Sequence, residues 1–404
     1  HAPPGNRDAQ ESRGLGDVYK RQCLSLEWEL LAASSSLKAF VSSSLSWIYM
    51  LIITKTKLMK KAVLLVNLGS PRELNKKSVR KYLNIFLSDD YVVDIPKFLQ
   101  QLILKLFILP FRPKQTLHAY SQIWTDKGSP LIISTLKIKE KLSRKTDWHV
   151  EVAMRYEEPS IESALKNLQS KGYNKIFVLP LYPHNAMSTT ITTQVEVDRI
   201  AKEIIPDAEL VYIKPFYKNQ KYISAVANSV QKYLNKEKFD KLIFSYHGIP
   251  KRQAKKTDET GSHCFASNEC CEVEELGSAD CYKAHTVQAS IKIAKELGLN
   301  DTEWEIAYQS RIGPGWLTPF TDKRLEALPN EGKSSIGILC PSFISDCLET
   351  LEEIDIRGRK TFFDAGGEKM TYIPCLNDSE ETINLIISIV NDAESLKVKS
   401  LKIA

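Results

Sequence analysis

A short strand-and-turn motif occurs twice in the chain, and it is the feature that most restricts the fold. Asn67–Pro71 reads NLGSP and Tyr246–Pro250 reads YHGIP, with glycine and proline at the same offsets. Each motif follows a continuous apolar run, which is typical of a strand buried on both faces of a parallel sheet. The repeat therefore predicts two similar halves, each built around one such strand.

Further apolar runs follow in each half, and amphipathic segments such as Tyr222–Leu234 lie between them. We predict an α/β fold of two Rossmann-like lobes, each with a four-stranded parallel sheet flanked by helices, facing a shared cleft. The predicted lobes are residues 59–236 and 237–404, and a last helix over Ser379–Asp392 is expected to pack back on the first lobe. The predicted strands are Ala62–Leu68, His149–Met154, Lys175–Leu181, Glu209–Lys214, Lys241–Tyr246, Trp304–Tyr308, Ser335–Cys340 and Met370–Pro374.

Residues 1–58 do not fit this pattern. The chain begins with His1, and Gly14–Gln22 resembles a translated sequencing adapter. The apolar run Leu37–Thr54 is shorter than the roughly 20 residues that a membrane-spanning helix needs. We expect residues 1–58 to be a non-native leader and Met59 to be the native start.

Composition excludes several functions. The net charge of +6 is spread over many lysines, without a basic stripe interleaved with aromatics, so no nucleic-acid partner is expected. No glycine-rich fingerprint follows a predicted strand, which argues against a nicotinamide or flavin cofactor. The 43% hydrophobic and 26% charged residues are typical of a soluble protein, which we expect in the cytoplasm. The oligomeric state stays open.

Two strand ends carry groups that could perform chemistry. His247 ends a predicted strand, and ligands bind parallel sheets at the carboxyl ends of their strands. Asp346, Glu349 and Glu353 follow another strand at helical spacing and would form one acidic stripe. A lone strand-end histidine more often bonds only to the backbone, and a lone acidic stripe is usually solvated. Because both features follow strands, we interpret them together as a site.

Four of the eight cysteines lie close together in the chain, which indicates a metal site in a reducing compartment. They are Cys264, Cys270, Cys271 and Cys281. Four cysteines bind zinc or an iron–sulfur cluster, and spacing alone does not separate these alternatives. A set without metal is the third alternative.

Ile95–Phe111 is unusually apolar for a segment between two motifs. From the residues alone, an amphipathic helix that packs in the core is the ordinary interpretation.

The motifs around the two strand ends, in their order, resemble those of the ferrochelatases, which insert ferrous iron into a porphyrin. The resemblance starts from Phe244–Pro250 (FSYHGIP) and Cys340–Asp355 (CPSFISDCLETLEEID), and it covers roughly residues 59 to 393. The other motifs are Asn67–Pro71, Tyr120–Leu131, Ala153–Pro159, Val178–Pro183, Tyr308–Pro314 and Ala365–Asn377.

The resemblance implies a reaction and its residues. The implied reaction inserts Fe²⁺, a substrate, into protoporphyrin IX in haem biosynthesis. His247 and Glu349 would be the catalytic pair and metal ligands, facing each other across the cleft from different sheets, and Glu353 would extend the acidic path. Some relatives carry a third acid where this chain has Arg357. The implied porphyrin-binding residues are Arg112, Tyr120, Ser129, Arg155 and Tyr156, with Trp316 and Phe343 as pocket walls.

The resemblance also implies a [2Fe–2S] cluster on the four clustered cysteines, and a lip over Ile95–Phe111 that touches the bilayer as a peripheral membrane contact. Three rival functions stay open at this point. They are the same chemistry on coproporphyrin III, a bilobal tetrapyrrole- or metal-binding protein without turnover, and an iron–sulfur redox protein.

Overall fold

Eight parallel strands form two four-stranded sheets in the part of the chain that the structure describes. The computed structural model describes residues 60–267, 269–273 and 276–401, which belong to one compact unit. The proposed leader and its apolar run lie outside the described residues. The strands of the first sheet are β1 (Lys61–Asn67), β2 (His149–Met154), β3 (Lys175–Pro180) and β4 (Glu209–Tyr212). Those of the second sheet are β5 (Lys241–His247), β6 (Trp304–Gln309), β7 (Ser335–Leu339) and β8 (Lys369–Ile373).

The two sheets have the same strand order, β2-β1-β3-β4 and β6-β5-β7-β8. Every pair of neighbouring strands is parallel. The predicted repeat and fold class are therefore confirmed. In each sheet the second strand in the sequence lies on one side of the first strand, and the third and fourth strands lie on the other side.

Helices connect the strands. Those of the first half are α1 (Lys76–Leu87), α2 (Lys97–Ile103), α3 (Arg112–Ile123), α4 (Pro130–Lys145), α5 (Ile161–Ser170), α6 (Thr192–Ile204) and α7 (Gln220–Leu234). Those of the second half are α8 (Lys251–Lys256), α9 (Tyr282–Glu296), α10 (Thr321–Ala327), α11 (Arg359–Asp364) and α12 (Glu380–Leu401). Wider π-helical turns occupy Leu104–Ile108, Met187–Ile191 and Glu349–Gly358, and short 3₁₀ turns occupy Leu276–Ser278 and Pro329–Glu331.

The core follows from the alternation of side chains along each strand. In β1, Leu65 faces the inner side, where one apolar cluster also contains Phe244 of β5 and Val226 of α7. The neighbouring Leu64 faces the outer side, in a cluster with α5 and α6. A third cluster covers the outer side of the second sheet and includes Phe362 of α11. Because the inner cluster contains side chains of both sheets, the two halves share one core.

The last helix joins the halves, as predicted. Ile383 and Ile386 of α12 belong to the shared inner cluster, and the helix packs on α4 and α7 of the first half. The Lys141 ammonium lies 2.7 Å from the Asp378 carboxylate just before α12. The packing of α12 on the first half therefore fixes the positions of the two sheets relative to each other.

The glycines of the repeated motif stand where no side chain fits. A Cβ on Gly69 would lie 2.0 Å from the carbonyl oxygen of Tyr156, and its φ of +107° also favours glycine. A Cβ on Gly248 would lie 2.8 Å from the carbonyl oxygen of Gln309. In both halves the turn after the central strand thus packs directly on the end of the neighbouring strand.

The segment 95–111 is an exposed lip rather than a core helix. Phe98, Phe107 and Phe111 are 80%, 64% and 69% exposed, whereas Leu104 and Leu109 are buried. The π-turn accounts for this pattern, because the amide of Leu109 donates to the carbonyl of Leu104, five residues earlier (2.9 Å). No helix among the described residues is both long and apolar enough to cross a membrane.

Candidate active site

His247 and Glu349 lie on the same sheet, so the expectation that they face each other from different sheets was wrong. His247 ends β5, and Glu349 begins the π-helix that follows β7. β5 and β7 are adjacent parallel strands, with Leu242 paired to Gly337. The chain leaves β5 towards β6 on one side and returns in β7 on the other. This is the topological switch point of the sheet, where ligands bind in open α/β folds.

The imidazole of His247 is oriented by its own turn. Its Nδ1 lies 2.7 Å from the carbonyl oxygen of Gly248. Because a carbonyl only accepts, Nδ1 carries the hydrogen and the lone pair is on Nε2. The hydroxyl of Tyr282 donates to the backbone carbonyl of His247 (2.9 Å), which fixes the strand end. A half-buried imidazole with a basic Nε2 can accept a proton or bind a metal ion.

Glu349 points towards the first half of the molecule. Nε2 of Gln309, at the end of β6, donates to the backbone carbonyl of Glu349 (2.8 Å). The charge of Glu349 acts on the buried phenols of Tyr120 and Tyr82. Burial raises the pKa of Tyr120, and the charge of Glu349 raises it further. Tyr120 therefore stays a neutral hydrogen-bond donor beside this carboxylate.

Glu353 lies one turn beyond Glu349 and accepts two hydrogen bonds from Ser310, from its amide (2.7 Å) and its hydroxyl (2.5 Å). Burial raises the pKa of Glu353, while Ser310 and the nearby His247 act in the opposite direction. The guanidinium of Arg357 lies 4.0 Å from the carboxylate of Glu353. Its Nε donates hydrogen bonds to both carboxylate oxygens of Glu352 (2.9 and 3.0 Å). The acidic path therefore ends at a cation in this chain.

Asp346 does not belong to the acidic stripe. It lies before the helix, which begins only at Glu349, and its carboxylate is buried. It accepts hydrogen bonds from Asn377 (2.7 Å) and Thr350 (3.1 Å), and from the Tyr372 hydroxyl. The helical spacing that grouped the three acids does not apply because the chain turns at Asp346 to satisfy this carboxylate.

Arg155 and Tyr156, predicted to lie close to the porphyrin, are bound to an acid that sequence reasoning missed. Asp89 accepts from Arg155 (2.6 Å), the Tyr156 hydroxyl (2.8 Å) and Thr192 (2.6 Å). Tyr156 is buried. These contacts favour an indirect role, in which both residues hold the loop that carries Asp89 at the base of the lip.

The other predicted porphyrin-binding residues lie on two neighbouring helices. Arg112 is exposed at the start of α3, whereas Tyr120 is buried near its end. Ser129 is buried at the start of α4. Trp316 packs on the turn after His247, since its ring lies 3.3 Å from the position of a Cβ on Gly248. Phe343 packs partly buried between two core clusters.

The four clustered cysteines approach each other as two pairs. The sulfurs of Cys264 and Cys281 are 4.0 Å apart, and those of Cys270 and Cys271 are 3.7 Å apart. Burial, and then Cys281, raises the pKa of Cys264 to about 12. Within the described ranges, no three or more His, Cys, Asp or Glu side chains form a group that could hold one metal ion.

Asp258 organises this cysteine loop, and no sequence pattern had indicated it. Its carboxylate accepts from the amides of His263 (2.9 Å) and Cys264 (2.7 Å) and from the hydroxyl of Thr260 (2.6 Å). The Thr260 hydroxyl and these amides lower the pKa of Asp258 to about 2. Gln309 and Ser310 were also missed as individual site residues, although the strand end that places them was predicted.

Fold and site together define a class. The protein is an α/β protein of two doubly wound sheets, with an imidazole and two carboxylates at one switch point. Such groups bind metal ions and move protons.

The comparisons with known proteins identify the family. The ferrochelatase family model matches residues 60–394. A ferrochelatase of Pseudomonas fluorescens (strain Pf0-1) is 40% identical over 335 residues, 82% of this chain and 98% of that protein. One of Stutzerimonas stutzeri (strain A1501) is 40% identical over 339 residues, 83% and 98% of the two chains. The chain belongs to the ferrochelatase family, and its members are metal chelatases of haem biosynthesis.

Among solved structures, SirB from Bacillus subtilis with Fe³⁺ is similar with a TM-score of 0.48 and 13% identity, over 83% of this chain and 96% of that one.

Proposed function

We propose that the protein inserts Fe²⁺ into protoporphyrin IX at the switch point of the second sheet and releases two protons. The observation that carries this proposal is the juxtaposition of His247, with its basic Nε2, and the half-buried carboxylates that follow β7. In the reaction, two pyrrole N–H bonds break, four nitrogens bind the metal, and two protons go to acceptors on the protein. The dication replaces the two protons, so charge balances.

The proposed role of each residue follows from the chemistry of its side chain. Nε2 of His247 accepts a pyrrole proton, since its lone pair is free while Nδ1 donates to the carbonyl of Gly248. Glu349 and Glu353 form a path of oxygen ligands for the hydrated Fe²⁺ and for departing protons. The raised pKa of Glu353 suits a group that takes up a proton and passes it on.

The test of this assignment is turnover of single variants under anaerobic conditions. His247→Ala and Glu349→Ala should each lower kcat by roughly 10²- to 10⁴-fold, the usual contribution of a general acid or base. His118→Ala and Glu368→Gln, which replace the same residue types at exposed positions, should retain wild-type turnover. A loss below about tenfold in either site variant would contradict the roles.

Arg112, Tyr120 and Ser129 are proposed to bind the porphyrin, with Arg112 as the cation for a propionate. Coproporphyrin III carries four propionates and would require more cationic groups. Steady-state assays of the two porphyrins should therefore favour protoporphyrin IX, and a higher kcat/KM for coproporphyrin III would reverse this choice. Absence of turnover with either would leave the two non-catalytic alternatives, a binding protein and a redox protein.

The four clustered cysteines are proposed to hold a [2Fe–2S] cluster in a reducing cytoplasm. Sulfurs that lie 3.7 Å apart in one pair and 4.0 Å apart in the other support a set of thiolates that would hold such a cluster. Burial and the neighbouring Cys281 raise the pKa of Cys264, so a bound metal would take the place of its proton. Such a cluster supplies structural stability or redox sensing, and it lies outside the insertion chemistry.

Absorbance of anaerobically purified protein tests the cluster. Cys270→Ser should abolish the visible bands, and Cys340→Ser, at a buried cysteine outside the set, should leave them. Colourless protein with stoichiometric zinc would replace the cluster with a zinc site, and protein without metal would support a thiol-only loop.

The lip over 95–111 is proposed to contact a membrane surface, so that the apolar porphyrin passes between bilayer and site. Its exposed aromatic and leucine side chains support this contact. Leu106→Ser with Phe107→Ser should weaken binding to vesicles without unfolding the protein, since both side chains are exposed. Unchanged vesicle binding would contradict the contact.

A further inference from the structure

A groove lined mainly by cations separates α1 from the lip. Its walls are Lys77, Arg80, Lys81 and Asn84 of α1, together with Lys105 and Leu109 of the lip. The four α1 residues recur at helical spacing, so one face of the helix forms the wall. Leu109 supplies the apolar contact at the other side.

Three of the four cations are not neutralised. Lys81 donates to the buried carboxylate of Glu157 (2.7 Å). In the part of the chain that the structure describes, no carboxylate lies within 4.0 Å of the charged groups of Lys77, Arg80 or Lys105. Positive charges that converge without a partner repel each other, and a bound anion removes that repulsion.

The position of Lys77 on α1 strengthens the field. Lys77 lies in the first turn of the helix, and this turn contains no acidic residue. A cation there opposes the helix dipole, because the N-terminus is the positive end. Helix and side chains therefore act together on any anion in the groove.

The same groove borders exposed apolar side chains of the lip. Leu106 and Phe107 directly follow Lys105, and both are exposed. A groove that binds anions beside projecting apolar side chains matches a molecule with an anionic head and apolar tails. A free phosphate would use only the cations.

We infer that the groove between α1 and the lip binds the phosphate headgroup of an anionic phospholipid while the exposed lip enters the acyl region. Lys77, Arg80 and Lys105 supply the charge, and Asn84 supplies an amide donor. The inference rests on the membrane contact proposed above and adds a preference for anionic lipid. Binding in this orientation would place the lip in the membrane and leave the strand ends free.

Flotation of the full-length protein with vesicles tests this inference. The vesicles are phosphatidylcholine alone, or phosphatidylcholine with one-third phosphatidylglycerol. Wild type should bind the anionic vesicles more tightly. Since each cation near an anionic surface contributes roughly fivefold, the triple variant K77A/R80A/K105A should lose on the order of 100-fold for anionic vesicles and little for neutral ones.

A matched control removes the same charge elsewhere. K202A/K221A/K295A replaces three exposed lysines on α6, α7 and α9 and should bind anionic vesicles nearly as wild type does. Equal losses in the two triple variants, or equal binding of wild type to both vesicles, would overturn the inference. Such a result would leave the proposed membrane contact intact. That contact is tested separately, by binding of the Leu106→Ser/Phe107→Ser variant to neutral vesicles.

Two further measurements separate other anions from lipid. The groove variant should keep the wild-type KM for porphyrin in detergent solution without vesicles, and a raised KM would assign the groove to substrate carboxylates instead. Inorganic phosphate at constant ionic strength should not displace the protein from anionic vesicles. Displacement would assign the groove to free phosphate.

Discussion

Gly248→Ala should lower turnover more than it lowers stability, because it acts on the turn that orients the imidazole proposed to be catalytic. The new methyl carbon would lie 2.8 Å from the carbonyl oxygen of Gln309 and 3.3 Å from the ring of Trp316. The amide of Gly248 donates to that same carbonyl (2.8 Å), so the turn cannot move away without losing this bond. Overpacking of this kind costs about 1–3 kcal/mol.

The consequence for catalysis follows from geometry. Relief of the contact requires His247 or the end of β6 to shift by several tenths of an ångström, and Gln309 also holds the backbone of Glu349. Since misplacement by about 1 Å can cost 10²-fold in rate, we expect kcat to fall by roughly 10- to 100-fold. Urea denaturation and anaerobic steady-state turnover measure the two effects.

Gly298→Ala serves as the control for strain alone. Gly298 has a φ of +70° and nothing within 4 Å of an added Cβ, so alanine should cost about 1 kcal/mol without affecting kcat. Wild-type kcat in Gly248→Ala at any stability loss would refute the reasoning. A proportional loss of activity in both variants would show that general destabilisation is responsible.

Three other changes test buried and paired charges. Burial lowers the pKa of His184 well below 6.5, so as the pH falls the unfolded state takes up this proton first. The contribution of neutral His184 to the free energy of unfolding should therefore be complete above pH 6.5 and decrease below it. His184→Leu should reduce that decrease in denaturation measured as a function of pH. Arg357 lowers the pKa of Glu353, so Arg357→Ala should shift the acid limb of the pH–rate profile to higher pH. An unchanged limb would argue against Glu353 as the titrating group. Asp89→Asn should cost about 3–5 kcal/mol by leaving the mostly buried guanidinium of Arg155 unpaired, and addition of Arg155→Met should recover part of it in the same denaturation assay.

Local patterns predicted the strands because burial on both faces leaves a continuous apolar run. They did not predict which strands are neighbours. The predicted lobe 237–404 already contained both His247 and Glu349, so their assignment to different sheets did not follow from these patterns. The pairing of β5 with β7 depends on contacts between residues nearly a hundred positions apart, such as Leu242 with Gly337. Asp89 and Arg155 likewise meet across 66 positions, and neither residue stands out locally.

Helical spacing failed where the helix is not an α-helix. An α-helical reading of the lip groups Leu102, Leu106 and Leu109 on one face, yet the first two are exposed and Leu109 is buried. The π-turn adds a residue and rotates the following side chains. Asp346 is separated from Glu349 for a different reason, because the helix begins only at Glu349. The π-helical turns over Leu104–Ile108 and Glu349–Gly358 lie beside the proposed site, where such turns are frequent.

The repeated motif explains why a duplicated fold has one proposed reaction centre. When Gly69 is matched with Gly248, the residue before each glycine is Leu68 in the first half and His247 in the second. Both glycines pack on the end of the neighbouring strand, so the two turns are built by the same steric requirement. A leucine at this place can only pack, and Leu68 contacts the shared apolar core. The imidazole at the equivalent place has a free lone pair, which is why the proposed proton transfer is assigned to the second sheet, while the first half is proposed to contribute Tyr120 and the lip.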